Sequence, residues 1–431
     1  MIQRPKGTVD ILPEEIAKWH YVEDKARAIL SRYRFREIRT PMFEHYELFA
    51  RGVGETSDVV SKEMYDFKDK GDRHIALKPE GTAPVVRAYI ENKLYGPEHH
   101  HPYKVYYLSP MFRYERPQGG RQRQFNQLGV EVFGDSQALI DVETIALAWE
   151  ILTGLGISDL ELVINSLGDI DSRIAYRQAL IDYLEPFEDQ LSEDSKTRLH
   201  KNPLRVLDSK DPKDKEIVKD APSILDSLSE ESKERFDLVQ SLLDQLGIPY
   251  RIDANMVRGL DYYQDTIFEI MTKNEVFGAE TTICGGGSYS GLVKELSDGK
   301  QDVPGFGFAI GLERLMLLLE AQEVALPDTD PLDVYLVTIP GIQVANSLPL
   351  IEAIRQQGYS CQLDYKHRKP GKQFRDADKL GAKFVITLGE SELEEGALNV
   401  KDMASGEEKK FAIDQIKEQF SDVIASFHAN A

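Results

Sequence analysis

The sequence predicts an α+β chain of more than one domain, and three observations carry that reading. Two runs rich in aromatic and β-branched residues, 103–115 and 126–134, are joined by the polar loop RPQGGRQRQF. Residues 170–246 have helical texture without a strand of note. From residue 331 onward, strand and helix signals alternate. A length of 431 residues with 41% hydrophobic content suits large buried cores and two or three domains.

The first helix is expected in PEEIAKWHYVEDKARAILSRY, where Ile16, Trp19, Val22, Ala26 and Ile29 or Leu30 recur at helical spacing and Pro13 suits a first helical position. After mixed signals around RTPMFE, RHIALKPEGTAPVVRAYIENKL reads as strand, turn and a helix beginning near Pro84. The two aromatic runs form an antiparallel hairpin. Alternation puts Phe112 and Tyr114 on one face and Arg113 and Glu115 on the other, so one side packs while the other presents charge to a cleft. SQALIDVETIALAWEILTGLG is a helix, with Asp135 or Ser136 as cap and Gly154 or Gly156 as stop.

Residues 170–246, broken by charge-dense, proline-containing sequence, read as an inserted helical module between core segments 1–169 and 247–323. In the second segment, VPGFGFAIGLERLMLLLEAQ gives a strand running into a helix with Leu312, Leu315, Met316 and Leu319 inward and Arg314 in its first turn. Residues 324–330 look like a linker, and 331–431 like a small α/β domain with a mostly parallel sheet.

Composition narrows the function. A net charge of -21 argues against polyanion binding over the whole surface and leaves room for local basic clusters. Two distant cysteines, Cys284 and Cys361, fit a reducing compartment, the cytoplasm by default. No run approaches 18 apolar residues and the first residues lack an apolar leader, so neither secretion nor membrane spanning is expected. His99 to His101 have no partner at zinc-like spacing, and no metal-ligand set is expected.

The hairpin loop gathers Arg113, Arg116, Arg121 and Arg123, and guanidinium forks match phosphate oxygens. Arg314 would add a charge at a helix N-terminus. Arg258, in VRGLDYY, either pairs with a buried carboxylate or lines a cleft. Glu80 and Glu131 suit a ligand with an ammonium or another N–H donor, or else they neutralise these arginines. CGGGSYSGL lacks the ending of a P-loop and the context of a dinucleotide fold, so its glycines more plausibly admit a close ligand or backbone. Near the C-terminus, Lys366, Arg368, Lys369, Lys372 and Arg375 with His367 and Phe374 suit an RNA loop, or a solvated helix start.

Taken together, these segments resemble the histidyl-tRNA synthetases of bacterial type, within the class II aminoacyl-tRNA synthetases, over nearly all of the chain outside 170–246. RTPMFE resembles class II motif 1, MFRYERPQGGRQRQFNQLGVEVFG motif 2 and GFGFAIGLERL motif 3. KPEGT, VRGLDYY and GGGSYSGL resemble segments particular to the histidine enzymes.

The resemblance implies an antiparallel class II catalytic sheet flanked by helices, a homodimer through motif 1 and a C-terminal anticodon-binding domain. It implies activation of L-histidine by ATP with Mg2+, then transfer to tRNA(His). Arg113 and Arg258 would be catalytic. Arg113 would hold the ATP α-phosphate and Arg314 with Arg121 the γ-phosphate side, while Phe125 would stack on adenine with Glu115 nearby. Glu80, Thr82 and Gln127 would take the histidine α-amino group, Glu131 and Tyr263 the imidazole, with Tyr262 and Tyr289 in the same pocket, and Arg258 the carboxylate and the α-phosphate. Arg116 and Gln118 would face the tRNA acceptor end, and Lys366, Arg368 and Lys369 the anticodon arm. The helical insertion would be an RNA-contacting flap.

One departure stands out: the family pattern is usually GGG-Arg-Tyr-Asp-Gly, whereas Ser288 and Ser290 flank Tyr289 here, and activity is expected to survive this. The rival reading is the histidine-sensing regulatory subunit of ATP phosphoribosyltransferase, which would have eroded ATP-binding arginines and no anticodon domain. A class II synthetase for another amino acid is the second rival, opposed by VRGLDYY, Glu80 and Glu131.

Overall fold

The computed structural model describes residues 1–55, 57–117, 119–209, 211–327, 331–342, 344–366 and 368–428. Backbone contacts divide the chain into two compact units, Met1–Leu326 and Pro327–Ala431.

The first unit is built on an eight-stranded sheet. In spatial order its strands are Arg36–Glu37, Tyr103–Phe112, Gln124–Phe133, Gly305–Gly311, Thr281–Ser288, Gln264–Thr272, Leu160–Ser166 and Tyr250–Ile252. The six central strands pair antiparallel, and the outermost pair at each edge is parallel. The expected hairpin is the pair Tyr103–Phe112 and Gln124–Phe133, in register from Tyr103 opposite Phe133 to Phe112 opposite Gln124.

Period-2 alternation sends the two faces of this sheet into different cores. Val130, Val132, Phe268, Phe306 and Ile310 face one core, shared with the helices Pro13–Arg32, Ala138–Gly154 and Glu230–Leu246. Val105, Tyr107, Ile267 and Tyr289 face the other, shared with the helix Thr82–Glu91. In the first helix Val22, Ala26, Ile29 and Leu30 are buried as their spacing anticipates. In the helix Leu312–Ala321 the buried positions include Leu312, Leu315 and Leu319, with Met316 partly buried.

Three details differ from the sequence reading. The helix at KPEGT starts at Thr82 rather than near Pro84, because the Glu80 carboxylate accepts from the N–H groups of Thr82 and Ala83 at 2.7 and 2.9 Å. The helix Ala138–Gly154 begins after Gln137 without a side-chain cap, and Asp135 instead accepts from the Gln137 N–H at 2.8 Å. The strand-free stretch 170–246 is not one module. Tyr176, Leu180, Leu199, Val206 and Val218 form a small core of their own, whereas Phe236, Val239 and Leu243 belong to the main core. Arg235 also grips the buried Asp141 of the helix Ala138–Gly154 through two nitrogens at 2.8 to 3.2 Å.

In the second unit the strands Cys361–Leu363, Val334–Thr338 and Phe384–Leu388 are parallel, and Ala397–Asp402 and Glu408–Ala412 extend the sheet antiparallel. Helices include Val344–Gln356, Pro370–Lys379 and Phe420–His428. Of the expected linker, Val324 and Leu326 pack on the main core of the first unit, and residues 328–330 lie outside the described residues. Among the described residues no helix is long and apolar enough to cross a membrane.

Leu243→Ala is therefore expected to destabilise the main core by about 2–5 kcal/mol, as deletion of a fully buried leucine does. Chemical denaturation followed by tryptophan fluorescence measures this; an unchanged main transition would place Glu230–Leu246 outside that core.

Candidate active site

A cavity of about 350 Å3 opens on the sheet face that carries Tyr107 and Gln127. Arg113, Glu115, Arg121 and Phe125 reach it from the hairpin and its loop, and Arg314 from the first turn of the helix Leu312–Ala321. Glu80 and Thr82 come from a helix start, and Arg258, Tyr262 and Tyr263 from the loop before the strand Gln264–Thr272. Segments far apart in the chain thus converge where the sequence reading placed one site.

The arginines are held by specific bonds. Arg113 donates Nε to the Pro79 carbonyl at 2.8 Å and lies 5.4 Å from the Phe125 ring centre. Arg121 donates to Glu115 at 3.0 Å, and Arg314 to the Thr282 carbonyl at 2.9 Å. Burial and the neighbouring Arg121 and Arg113 push the Arg314 guanidinium below its ordinary value, with Glu115 opposing. An anion entering here relieves that repulsion.

Arg258 is arranged differently. It forms a close ion pair with Glu269, whose other oxygen accepts from Thr282 at 2.6 Å, and its guanidinium lies 5.3 Å from the Tyr263 ring centre. Burial works against its charge, but Glu269 together with Tyr263 and Tyr262 outweighs this and raises its pKa. A Cβ at Gly285 would stand 2.6 Å from the Arg258 fork, so glycine leaves the space that the guanidinium fills. The Arg258 Nε and the Gln127 Oε1 are buried and unpaired. Such atoms at a cavity are sites where a ligand's acceptor and donor would be satisfied.

Glu80 is 4% exposed, and burial raises its pKa against the N–H groups of Ala83 and Thr82 and the charge of Arg113. Glu131 and Tyr289 are not at the cavity surface. The Glu131 carboxylate lies behind Thr82, accepting from Thr82 Oγ1 at 2.8 Å and Tyr289 OH at 2.5 Å, and burial raises its pKa to about 8 against those hydrogen bonds. Tyr107 separates this network from the cavity in a slot between two glycines, since a Cβ at Gly81 or Gly129 would come within 2.2 or 2.0 Å of its ring.

The remaining expectations fall in different places. Arg116 is exposed and away from the cavity, and Gln118 lies outside the described residues. In the second unit, Lys366 and Lys369 are exposed and His367 is outside the described residues. The Arg368 guanidinium is occupied by Asp364, at 2.7 and 2.9 Å, and by a close pair with Asp376, so it holds its own loop rather than standing open to a ligand. Ser288 and Ser290 meet through their hydroxyls at 3.0 Å. The sequence reading missed Glu269 and Glu313 in the cavity wall. Glu269 carried a signal, being an acid between Phe268 and Ile270 in an apolar strand; Glu313 accepts from Asn126 and gave none.

The chain thus combines a mainly antiparallel sheet that carries a cationic cavity on one face with a separate α/β unit. The sequence model of histidyl-tRNA synthetase matches residues 7–315, and that of the anticodon binding domain matches residues 333–422. The chain is 58% identical over 423 residues to the histidine--tRNA ligase of Lactiplantibacillus plantarum, covering 98% of this chain and 99% of that protein. It is 60% identical over 407 residues to that of Limosilactobacillus fermentum, covering 94% of each. The crystal structure of apo S. aureus histidyl-tRNA synthetase superposes with a TM-score of 0.83 at 43% identity, over 97% of this chain and 99% of that one. The chain belongs to the histidyl-tRNA synthetase family.

The raised pKa of Glu131 has a consequence for stability. The unfolded carboxyl releases its proton near the ordinary glutamate value of 4.5 and the native one at about 8, so between them the native state binds more protons and stability falls as pH rises. Glu131→Gln removes that contribution. Melting temperatures of the ligand-free protein from pH 5 to 8 are expected to decline less in the variant than in the parent; parallel curves would show that Glu131 is ionised throughout.

Proposed function

We propose that the chain activates L-histidine with ATP, forming histidyl-adenylate and pyrophosphate, and then transfers histidine to the 3′ end of tRNA(His) with release of AMP. The observation that carries this reading is the cavity in which Arg113, Arg121 and Arg314 converge beside a buried, partly unpaired Arg258 and a carboxylate at Glu80. One end is chemically suited to a polyphosphate and the other to an amino acid.

In this reading the histidine carboxylate attacks the α-phosphorus, so the substrate is itself the nucleophile and the protein aligns and neutralises. Arg113 and Arg258 stabilise charge at the α-phosphate, and Arg121 and Arg314 hold the departing pyrophosphate. Phe125 offers the adenine a stacking face. Glu80, Thr82 and Gln127 take the α-amino group, Tyr263 and, acting from behind through Thr82, Glu131 select the imidazole, and Tyr262 lines its pocket with Tyr289 behind it. Polar partners for both ring nitrogens penalise an apolar side chain, which would leave them unpaired.

Among the described residues no three His, Cys, Asp or Glu side chains gather to hold a metal. Mg2+ fits here as a companion of the nucleotide phosphates, which it usually binds with few protein ligands, and the carboxylates in the cavity wall that would meet it are Glu115, paired with Arg121, and Glu313, held by Asn126. It would neutralise phosphate charge.

Arg116 and Gln118 would meet the acceptor end, and the exposed Lys366 and Lys369 the anticodon arm, with Arg368 bracing their loop. We place the protein in the cytoplasm as a homodimer through the short strand Phe43–His45 and the Met42 before it, where Met42 and Phe43 are 40% and 56% exposed. A histidine-sensing regulatory subunit is the weaker reading, since the nucleotide arginines are present and residues 333–422 match an anticodon binding domain.

Amino-acid-dependent exchange of pyrophosphate with ATP tests this across all twenty amino acids. Exchange is expected with histidine alone, and Arg258→Ala should lower it by about 10²–10³-fold, the usual cost of removing a donor to developing charge. Histidine binding without exchange would favour the regulatory subunit, and exchange with another amino acid would reject histidine as substrate.

A further inference from the structure

The loop of residues 253–263 carries Arg258, Tyr262 and Tyr263 between the strands Tyr250–Ile252 and Gln264–Thr272 and has no ladder of its own. Its backbone is held by a few isolated main-chain bonds, such as Asp253 N–H to the Ile164 carbonyl at 3.1 Å, and otherwise by side chains. At its start Asn165 donates Nδ2 to the carbonyls of Ala254 and Met256 at 3.2 and 2.9 Å. Beyond that point the side-chain hold comes from the small helical module.

Arg205, in the short helix Leu204–Leu207, donates one nitrogen to the Gly259 carbonyl at 2.8 Å and to the Asp261 carboxylate at 3.0 Å. Asn202 donates to the same Asp261 oxygen at 3.1 Å. These bonds fall on the residues that flank Arg258 and Tyr262. The Arg205 side chain is 12% exposed, so its pairing is shielded from solvent.

The apolar packing runs the same way. Leu204, next to Arg205, and Val257, next to Arg258, each pack against both the module's core and the core beneath the cavity. On its far side Asp261 donates its N–H to the Val53 carbonyl at 3.2 Å, and a Cβ at Gly54 would stand 2.4 Å from the Asp261 carboxylate. Arg198 adds a pair with Asp58 at 3.4 Å.

We infer that Arg205 and Asn202 are positioning residues for amino-acid activation: through Asp261 and Gly259 the helical module sets the loop that receives histidine. This rests on the charging reading above for the identity of the ligand. The module's role then extends beyond RNA, because a displacement of about 1 Å in a loop that aligns a reactant is enough to cost of the order of a hundredfold in rate. By reciprocity, a partner that binds the module better in one loop geometry changes histidine affinity by the same factor.

The test is Arg205→Met in the full chain, read by two measurements. In pyrophosphate exchange the KM for histidine is expected to rise by about tenfold or more while the KM for ATP stays within about twofold, a split that general loss of folding does not produce. In hydrogen–deuterium exchange, amides 256–263 should lose protection while those of Gln124–Phe133 keep it. Asn202→Ala should shift both readouts in the same direction and by less, which serves if the arginine variant folds poorly. Combined with Asp261→Asn, Arg205→Met should be non-additive. Unchanged histidine KM and unchanged loop protection would overturn the inference, as would equal rises in both KM values or strict additivity. Absence of histidine-dependent exchange in the parent chain would instead overturn the charging reading, and the amide measurement would still decide whether the module holds the loop.

Discussion

Three guanidinium groups, those of Arg113, Arg121 and Arg314, are kept together around one cavity against their mutual repulsion. Such an arrangement cannot hold itself. It depends on a frame already stable for other reasons, and here that frame is the sheet whose two faces are buried in separate cores. Each arginine is tethered by a group whose own place is fixed: Arg113 by the Pro79 carbonyl, Arg314 by the Thr282 carbonyl and Arg121 by Glu115. The sheet thereby converts packing energy into electrostatic readiness, and the ligand meets charges that need no rearrangement.

The same logic divides the cavity chemically. At the arginine end Arg113, Arg121 and Arg314 face one another, and burial together with that repulsion depresses the Arg314 pKa. At the other end charge is nearly matched, with Arg258 against Glu269, and Glu80 bound to two backbone N–H groups. Deeper still, burial and the nearby Glu80 charge favour the protonated acid at Glu131 against the hydrogen bonds of the Thr82 and Tyr289 hydroxyls. A zwitterion with a polar side chain and a polyanion therefore find different surroundings within one opening.

Much of this was legible in the chain because each informative residue broke a local pattern. Arg258 interrupted an apolar stretch, Glu131 alternated with valines that had to be buried, and the hairpin loop concentrated arginines in an acidic protein. What was not legible depended on partners brought by folding. The helix Glu230–Leu246 shares the charge-rich texture of the sequence before it, and only the packing of Phe236, Val239 and Leu243 assigns it to the main core. Arg368 read as an open cation, although its partners Asp364 and Asp376 lie four and eight residues away. Glu131 was expected at a cavity surface because alternation tells which face a residue takes and not how deep it lies. Thr82 and Tyr107 stand between it and the opening.

The slot that holds Tyr107 between Gly81 and Gly129 bears on how this protein can change over generations. Any side chain at either glycine collides with the ring, and removing the ring first leaves a void beside Glu131. Both routes out pass through a damaged intermediate, so these three positions form a unit that descent must keep or replace together. An exposed loop residue such as Arg116 meets no such barrier. A lineage can thus revise the exposed loop one substitution at a time, while the wall of the cavity stays locked by geometry.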